Sequence, residues 1–575
     1  MPRLSYMLRC MGTSSQLYSR LHSLDGKSYG ALKQLAGTWQ FQGFDLHIDK
    51  VQPDPYASAS RIRITLPVTA TEVPQEFLQD TADRVAVSDF IARDIYDAIS
   101  HGPREFQAVR PGQEILPRSS VTCEKGTVQV ALTFQFPAAG RRVKGRLAAG
   151  LLVDDLPGLV SYSALGERLQ HHALKQHVQT LRDYLFIQRE LQDRHLVGFV
   201  ADGAVLARRS GNSDTPLANA VPFESPAENK VFFDLPSGRS ISGLGIREGI
   251  TLLVGGGFHG KSTLLKALER GVFPHIPGDG RQLVVSDPTA VSVRAEDGRA
   301  VTGTNISTMI NNLPGRIDTQ EFSTANASGS TSQAANLAEA VEIGTRTVLI
   351  DEDTSATNFM IRDQRMKALI SAEPITPFVD RISDLWEDRG ISTILVMGGS
   401  GAFFEHAHTV IALNEYVPQD VTERAHQLAK QYHETKHSLS EGNTDKTSSL
   451  ALLGAPRTVD PNSLLVEDTR KPPRGRGLEE IQIGKENLDL RYLSQLVDSG
   501  QTQAIALCLP LVARRLQTAQ IPLAPAVQEV IEQIEREGLE TLTGSDSRVR
   551  GDVVLPRKEE LFQAISRWRK LRLKR

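Results

Sequence analysis

Cysteine is nearly missing from this chain. Its 575 residues hold 3 cysteines, Cys10, Cys123 and Cys508, and none forms a Cys-x-x-Cys pair. That leaves no pattern for a disulfide framework or a zinc site, and it suits a reducing compartment. Long apolar runs are missing as well. The best stretch, Ala504 to Ala513, carries Pro510 and falls well short of the ~20 residues a membrane span needs. No transmembrane segment is therefore predicted, and a cytoplasmic setting is expected. Acidic residues are absent from the first 24 positions, where Arg3, Arg9 and Arg20 stand. That pattern fits either a plain amphipathic first helix or an organelle-targeting segment. There is no RRM aromatic motif, KH loop or zinc knuckle, and no internal repeat. What remains is ordinary for a globular protein, with 40% hydrophobic and 23% charged residues, and it is long enough for several domains.

Charge is uneven. From Pro556 onward Arg557, Lys558, Arg567, Arg569, Lys570, Arg572, Lys574 and Arg575 face only Glu559 and Glu560, a net +6 that leaves −9 for the rest of a chain whose formal charge is −3. Leu561, Ile565 and Trp568 recur at helical spacing, so an apolar stripe docks and a basic face stays wet. Such a face meets nucleic-acid phosphates or an acidic membrane, or is simply a solvated helix. A second basic cluster, Arg141, Arg142, Lys144 and Arg146, reads as a phosphate-contacting loop or an exposed basic turn.

The strongest local signal is Gly255-Gly256-Gly257-Phe258-His259-Gly260-Lys261-Ser262, followed by Thr263. It fits the phosphate-loop pattern G-x-x-x-x-G-K-[ST]. The apolar run Ile250 to Val254 before it reads as a strand, and Lys261 to Arg270 after it as a helix. Glycines let the backbone take positive φ and approach an anion closely. Successive N–H groups and the positive end of the helix then face the phosphates. Lys261 would reach the β- and γ-phosphates and the Ser262 hydroxyl would hold Mg²⁺. His259 reads as a loop filler rather than a catalyst.

Downstream, Thr347-Val348-Leu349-Ile350 ends in Asp351-Glu352. This is the pattern of a Walker B strand, whose first carboxylate supports the metal and whose second polarises or orients the attacking water. Asp351-Glu352-Asp353-Thr354-Ser355-Ala356 closely resembles the D-E-P-T-S-A segment of ABC-type ATPases, with Asp353 where Pro is usual. Ser328-Gly329-Ser330-Thr331-Ser332-Gln333 precedes a helical run, Ala334 to Ile343, and is placed like the ABC signature L-S-G-G-Q. In ABC proteins Ser328, Gly329 and Ser330 would close on the γ-phosphate bound by another subunit. The plainer reading is an N-capped Ser/Gly loop.

Other segments extend the likeness: Leu24 to Tyr29, Ile48 to Pro55, Phe199 to Ala204, Arg208 to Gly211 and Ala295 to Arg299. With the motifs above, the chain resembles the family of soluble predicted ABC-class ATPases that includes an RNA-binding protein associated with mitochondrial RNA editing in kinetoplastids. The resemblance implies an α/β fold in which an ABC-type P-loop core is flanked by an α/β N-terminal domain and a small mainly helical C-terminal domain. Expected boundaries are 1–165, 166–445 and 446–575, the last beginning with a linker. Also implied are ATP with Mg²⁺, closure of a homodimer and RNA on a basic surface. The chain departs from the wider class where a switch histidine is usual; Gly398-Gly399-Ser400 stands there. Glu296 is the candidate for the Q-loop position by order along the chain. Phe223, Phe232 and Phe233 are candidates for stacking on adenine, against a core role for each.

The leading expectation is an ATPase with Lys261 and Glu352 as catalytic groups and Ser262 and Asp351 on the metal. The alternatives are a nucleotide-gated RNA-binding scaffold with little hydrolysis, and a P-loop kinase acting on a small molecule.

Overall fold

Alternation of apolar and polar residues makes the strand Ser60–Pro67, in which Ile62, Ile64 and Leu66 are buried and the intervening side chains are partly covered. It lies within a seven-stranded sheet whose order is Cys10–Thr13, Gly37–Gln40, Asp45–Lys50, Ser60–Pro67, Thr127–Phe134 and Phe106–Gln107, with Val121–Glu124 also pairing with Thr127–Phe134. The computed structural model describes residues 10–574 apart from 125, 164, 166–168, 371–372, 437–449, 466–470 and 544–550. Arg3, Arg9, the start of the expected linker at 446 and Arg575 therefore lie outside the described residues.

Two units divide the chain. The first comprises Met1–Arg182 and Glu537–Leu555. Besides the sheet it contains the helix Thr81–Ser100, capped by the Asp80 carboxylate, which accepts from the Ala82 N–H. Asp89 on this helix is buried between Arg93, Arg118 and His177. Burial pushes its carboxyl up, but Arg93, His177 and Arg118 outweigh that and hold it well below the usual range. The later segment joins through Ser119, whose N–H donates to the Val553 carbonyl at 2.9 Å and whose hydroxyl accepts from the Val553 N–H at 3.0 Å. The basic cluster is an exposed turn: Arg141 and Arg146, with side chains 81% and 77% exposed, stand loosely by Asp54 and Asp25.

The second unit comprises Asp183–Arg536 and Pro556–Arg575. Its central sheet is built from β1 (Ile250–Val254), β2 (Val291–Ser292), β3 (Thr347–Asp351), β4 (Ser392–Val396), β5 (Thr409–Asn414) and β6 (Val417–Asp420). The spatial order is β2-β3-β4-β1-β5-β6, parallel except for the β5–β6 hairpin. β1, β3 and β4 are buried almost throughout, as parallel strands covered on both faces must be, and this is why they read as continuous apolar runs. A four-stranded antiparallel sheet, Lys230–Asp234, Ser240–Arg247, Leu196–Ala201 and Val284–Ser286, belongs to the same unit. Helix α1 (Lys261–Arg270) follows β1 and buries Leu264, Leu265, Ala267 and Leu268. Helix α2 (Gly329–Glu342) precedes β3.

The C-terminal part holds the helices Ser499–Ala519, Leu523–Glu537 and Lys558–Ser566. It also holds a small three-stranded sheet, Arg474–Arg476, Glu480–Ile483 and Glu486–Asp489. The first of these strands forms in a basic stretch rich in Pro and Gly. The basic face expected on the tail is found in part. Leu561, Ile565 and Trp568 are buried as predicted and Arg569, Lys570, Arg572 and Lys574 are exposed, but Arg557 and Arg567 are spent inside the fold. Arg557 pairs with Glu560 and Arg567 with Glu296. Arg569 donates to the carbonyls of Ala325 and Gly298, while Lys570 and Arg572 stand by Glu486 and Asp460. Among the described residues no helix is long and apolar enough to cross a membrane.

Candidate nucleotide site

Where β1 ends, the chain turns on Gly255 at φ 136°, and a Cβ there would lie 2.3 Å from the Leu413 carbonyl oxygen. No other residue fits without moving β5. Gly260, at φ 99°, is the N-cap of α1. Between them Gly256, Gly257 and a fully exposed Phe258 at φ 64° complete the loop. The Lys261 ammonium folds back over this loop and donates to the carbonyls of Gly255 and Gly256, each at 2.7 Å. Ser262 and Thr263 occupy the first turn of α1, where backbone N–H groups have no partner within the helix. The His259 ring Nδ1 accepts from the Glu415 N–H at 2.8 Å, so it ties the loop to the β5–β6 turn.

The opposite wall comes from the tips of β3 and β4. Asp351 closes β3, and its carboxylate accepts from the Asp353 N–H. Glu352 Oε2 accepts from two backbone amides, Gly398 N–H at 2.6 Å and Gly399 N–H at 3.0 Å. A Cβ on Gly398 would lie 3.8 Å from both Glu352 Oε2 and Lys261 Nζ. The glycine loop after β4 thus runs alongside the lysine and the acid. Where a histidine is usual, backbone N–H groups hold the carboxylate.

Helix α2 starts at Gly329, five residues earlier than the apolar run suggested, so Ser328 is its N-cap and Gly329 and Ser330 lie in its first turn. Ser328 Oγ is 3.0 Å from Thr331 Oγ1. A Cβ on Gly329 would meet Asp297 Oδ1 at 3.1 Å and the Ala356 Cβ at 3.5 Å. Buried Gln333 completes the link, its Nε2 donating to Ser355 Oγ at 2.9 Å and its Oε1 accepting from the Ala356 N–H at 2.8 Å. Order along the chain gives no sign that the glutamine joins these two motifs.

The Q-loop candidate fails, and two of the three aromatics take the core role. Glu296 is 2% exposed and both its oxygens are taken by Arg567 and Asn336, so none is free for a metal or a water in a Q-loop role. Burial pushes its carboxyl up, but Arg567 and Arg299 outweigh that and hold it below the usual range. Phe223 and Phe233 are buried, Phe233 against Phe199. Of the three candidate aromatics only Phe232 is exposed, at 64%.

A glycine loop at the end of a central parallel strand, a lysine at the head of the next helix and acids on a nearby strand tip define a P-loop nucleotide-binding fold. The sequence matches the ABC_ATPase P-loop domain over residues 170–449. It also matches the N-terminal domain of ABC-class ATPases over 14–167 and the MRB1590 C-terminal domain over 473–574. The protein is an ABC-class ATPase by family, with that N-terminal domain and an MRB1590-type C-terminal domain. An uncharacterized protein of Methanocaldococcus jannaschii, MJ1628, is 30% identical over 224 residues, 37% of this chain. The chain spans about half the length of that relative, 49%. Among solved structures, cbiO1 from Clostridium perfringens, part of the ABC transporter complex cbiONQ, matches over 36% of this chain and 93% of its own. Its identity is 12% and its TM-score 0.25, too low to carry an argument.

Proposed function

We propose that the protein binds Mg·ATP on Gly255 to Thr263 and hydrolyses it in a homodimer, with Ser328, Gly329 and Ser330 of a second copy capping the terminal phosphate. The observation that carries this reading is the convergence of Lys261, Glu352 and the Gly398–Gly399 amides at one end of the central sheet. Lys261 rests on two carbonyls, weak partners for an ammonium that an incoming phosphate would replace. Glu352 is held by two N–H donors with its other oxygen available to orient water or take its proton. Among the described residues no cluster of three or more His, Cys, Asp or Glu is set to hold a metal. The oxygens of Ser262 and Asp351 fit Mg²⁺ all the same, because that ion uses one or two protein ligands and takes the rest from phosphate and water. When bound it would neutralise charge on the phosphates.

RNA is the proposed coupled ligand. The support is the MRB1590 C-terminal domain together with the exposed Arg141–Arg146 turn. The expected partition at 1–165, 166–445 and 446–575 is part of the same proposal, as is a cytoplasmic location. The glycine loop in place of a switch histidine favours a second reading, a nucleotide-gated RNA scaffold with little turnover. Calorimetry with Mg·ATP, then steady-state phosphate release with and without RNA, separates the two. Binding with turnover supports the ATPase, binding without turnover the scaffold, and no binding ends both.

A further inference from the structure

Donors that recognise a reacting phosphate must be held to within about 0.5 Å of their working position. Ser328 to Ser330 stand at the end of a loop, so the loop itself has to be fixed. It runs beside the segment 297–299. The Gly298 N–H donates to the Ala327 carbonyl at 2.8 Å, and the Ala327 N–H to the Arg299 carbonyl at 2.9 Å. A Cβ on Gly329 would meet Asp297 Oδ1 from the same segment.

The C-terminal part lays a fork across the two loops. Arg569 donates through Nη1 to the Ala325 carbonyl and through Nη2 to the Gly298 carbonyl, the latter at 2.8 Å. One planar guanidinium therefore fixes one loop against the other. The backbone that carries it is anchored on both sides. Before it, the Trp568 indole N–H donates to the Ser463 carbonyl at 2.8 Å. After it, the Arg572 carbonyl accepts from the Asp460 N–H at 2.7 Å, and the Lys574 N–H donates to the Thr458 carbonyl at 2.9 Å. Leu573 lies over Gly303, where a Cβ would fall 2.5 Å from its Cδ1. Gly303 belongs to the strand Val301–Thr304, which pairs with Phe322–Thr324, and that second strand runs directly into Ala325.

Arg569 differs from the arginines around it. Arg299, Arg457 and Arg567 are buried and paired with carboxylates. Arg569 is exposed, and its partners are neutral carbonyls that water would otherwise satisfy, so it adds little to stability. What it adds is the position of a loop. We propose that Arg569 is a positioning residue, setting Ser328, Gly329 and Ser330 for the terminal phosphate bound by a second copy. This rests on the two-copy reading above.

The test uses the full chain in two variants, Arg569→Ala and Arg572→Ala. The second removes an equal charge from the same tail, where the guanidinium stands by Asp460 instead. Arg569→Ala is expected to lower steady-state phosphate release from Mg·ATP by roughly ten- to a hundredfold. In a Glu352→Gln background it should also weaken the Mg·ATP-dependent dimer on size exclusion. Mg·ADP affinity, which draws on the phosphate loop of one copy, and the melting temperature are expected to stay put. Arg572→Ala is expected to change none of these. Unchanged turnover and dimer in Arg569→Ala overturn the proposal. So does an equal loss in Arg572→Ala, which assigns the effect to charge, or a matching fall in Mg·ADP affinity or melting temperature, which assigns it to folding. An unaltered protein that binds Mg·ADP yet neither turns over ATP nor dimerises takes down the two-copy reading and the proposal with it. If it dimerises without turnover, the dimer alone decides.

Discussion

At the phosphate loop Lys261 rests on two carbonyls and Glu352 on two backbone amides, close to solvent. Along the later turns of α2 the same kinds of side chain are sealed in and paired with one another. Arg299 meets Glu339 at 2.8 Å, Arg457 meets Glu342 at 2.7 Å, and Arg567 meets Glu296. The contrast separates two uses of charge. Groups whose partners are weak and exposed are ready to exchange them for a ligand. Groups that have saturated one another below the surface hold elements together, and removing one strands the other.

Four measurements would break or sharpen that contrast. The largest effect is expected from Lys261→Ala, which should lower Mg·ATP affinity by roughly a hundredfold or more while the melting temperature stays put; calorimetry and thermal unfolding read the two. Glu352→Gln should slow phosphate release by roughly 10²–10⁴-fold and accumulate an ATP-bound dimer on size exclusion, and normal turnover would remove Glu352 from its role. Arg567→Met should do the reverse, leaving buried Glu296 without its paired guanidinium and costing about 3–5 kcal/mol in denaturant unfolding. A cost near zero would mean that the sealed network is not structural.

Smaller still is an acid effect. The Glu296 carboxyl is held below its usual range, so its ionisation contributes stability above the unfolded value of about 4.3 and loses it as pH falls through the folded value. Stability curves of the unaltered protein and Glu296→Gln should therefore differ most above that range and converge in acid.

The phosphate loop was legible because it is contiguous: Gly255 to Thr263 act through their own backbone, so spacing alone carries the chemistry. β1, β3 and β4 were legible for a similar reason, since burial on both faces leaves unbroken apolar runs. The start of α2 was misread because Ser, Gly and Thr at positions 328–332 look like a loop, whereas they cap and open the helix. Glu296 and the buried arginines of the tail were beyond the sequence. Each depends on a partner far along the chain: Arg567 for Glu296, and the Pro288 and Ala290 carbonyls for Arg557. No local spacing encodes such pairings.

The stretch Glu537–Leu555 counts with the N-terminal unit, although residues on both sides of it count with the other. The polypeptide is therefore stitched, and no single cut yields two complete pieces. A gene shortened to end before residue 537 would deliver the first unit with Ser119 deprived of Val553, and one beginning after residue 182 would carry an orphaned insert. Anyone dissecting the protein by truncation would have to bridge 536 to 556 with a linker and supply the excised stretch to its own unit.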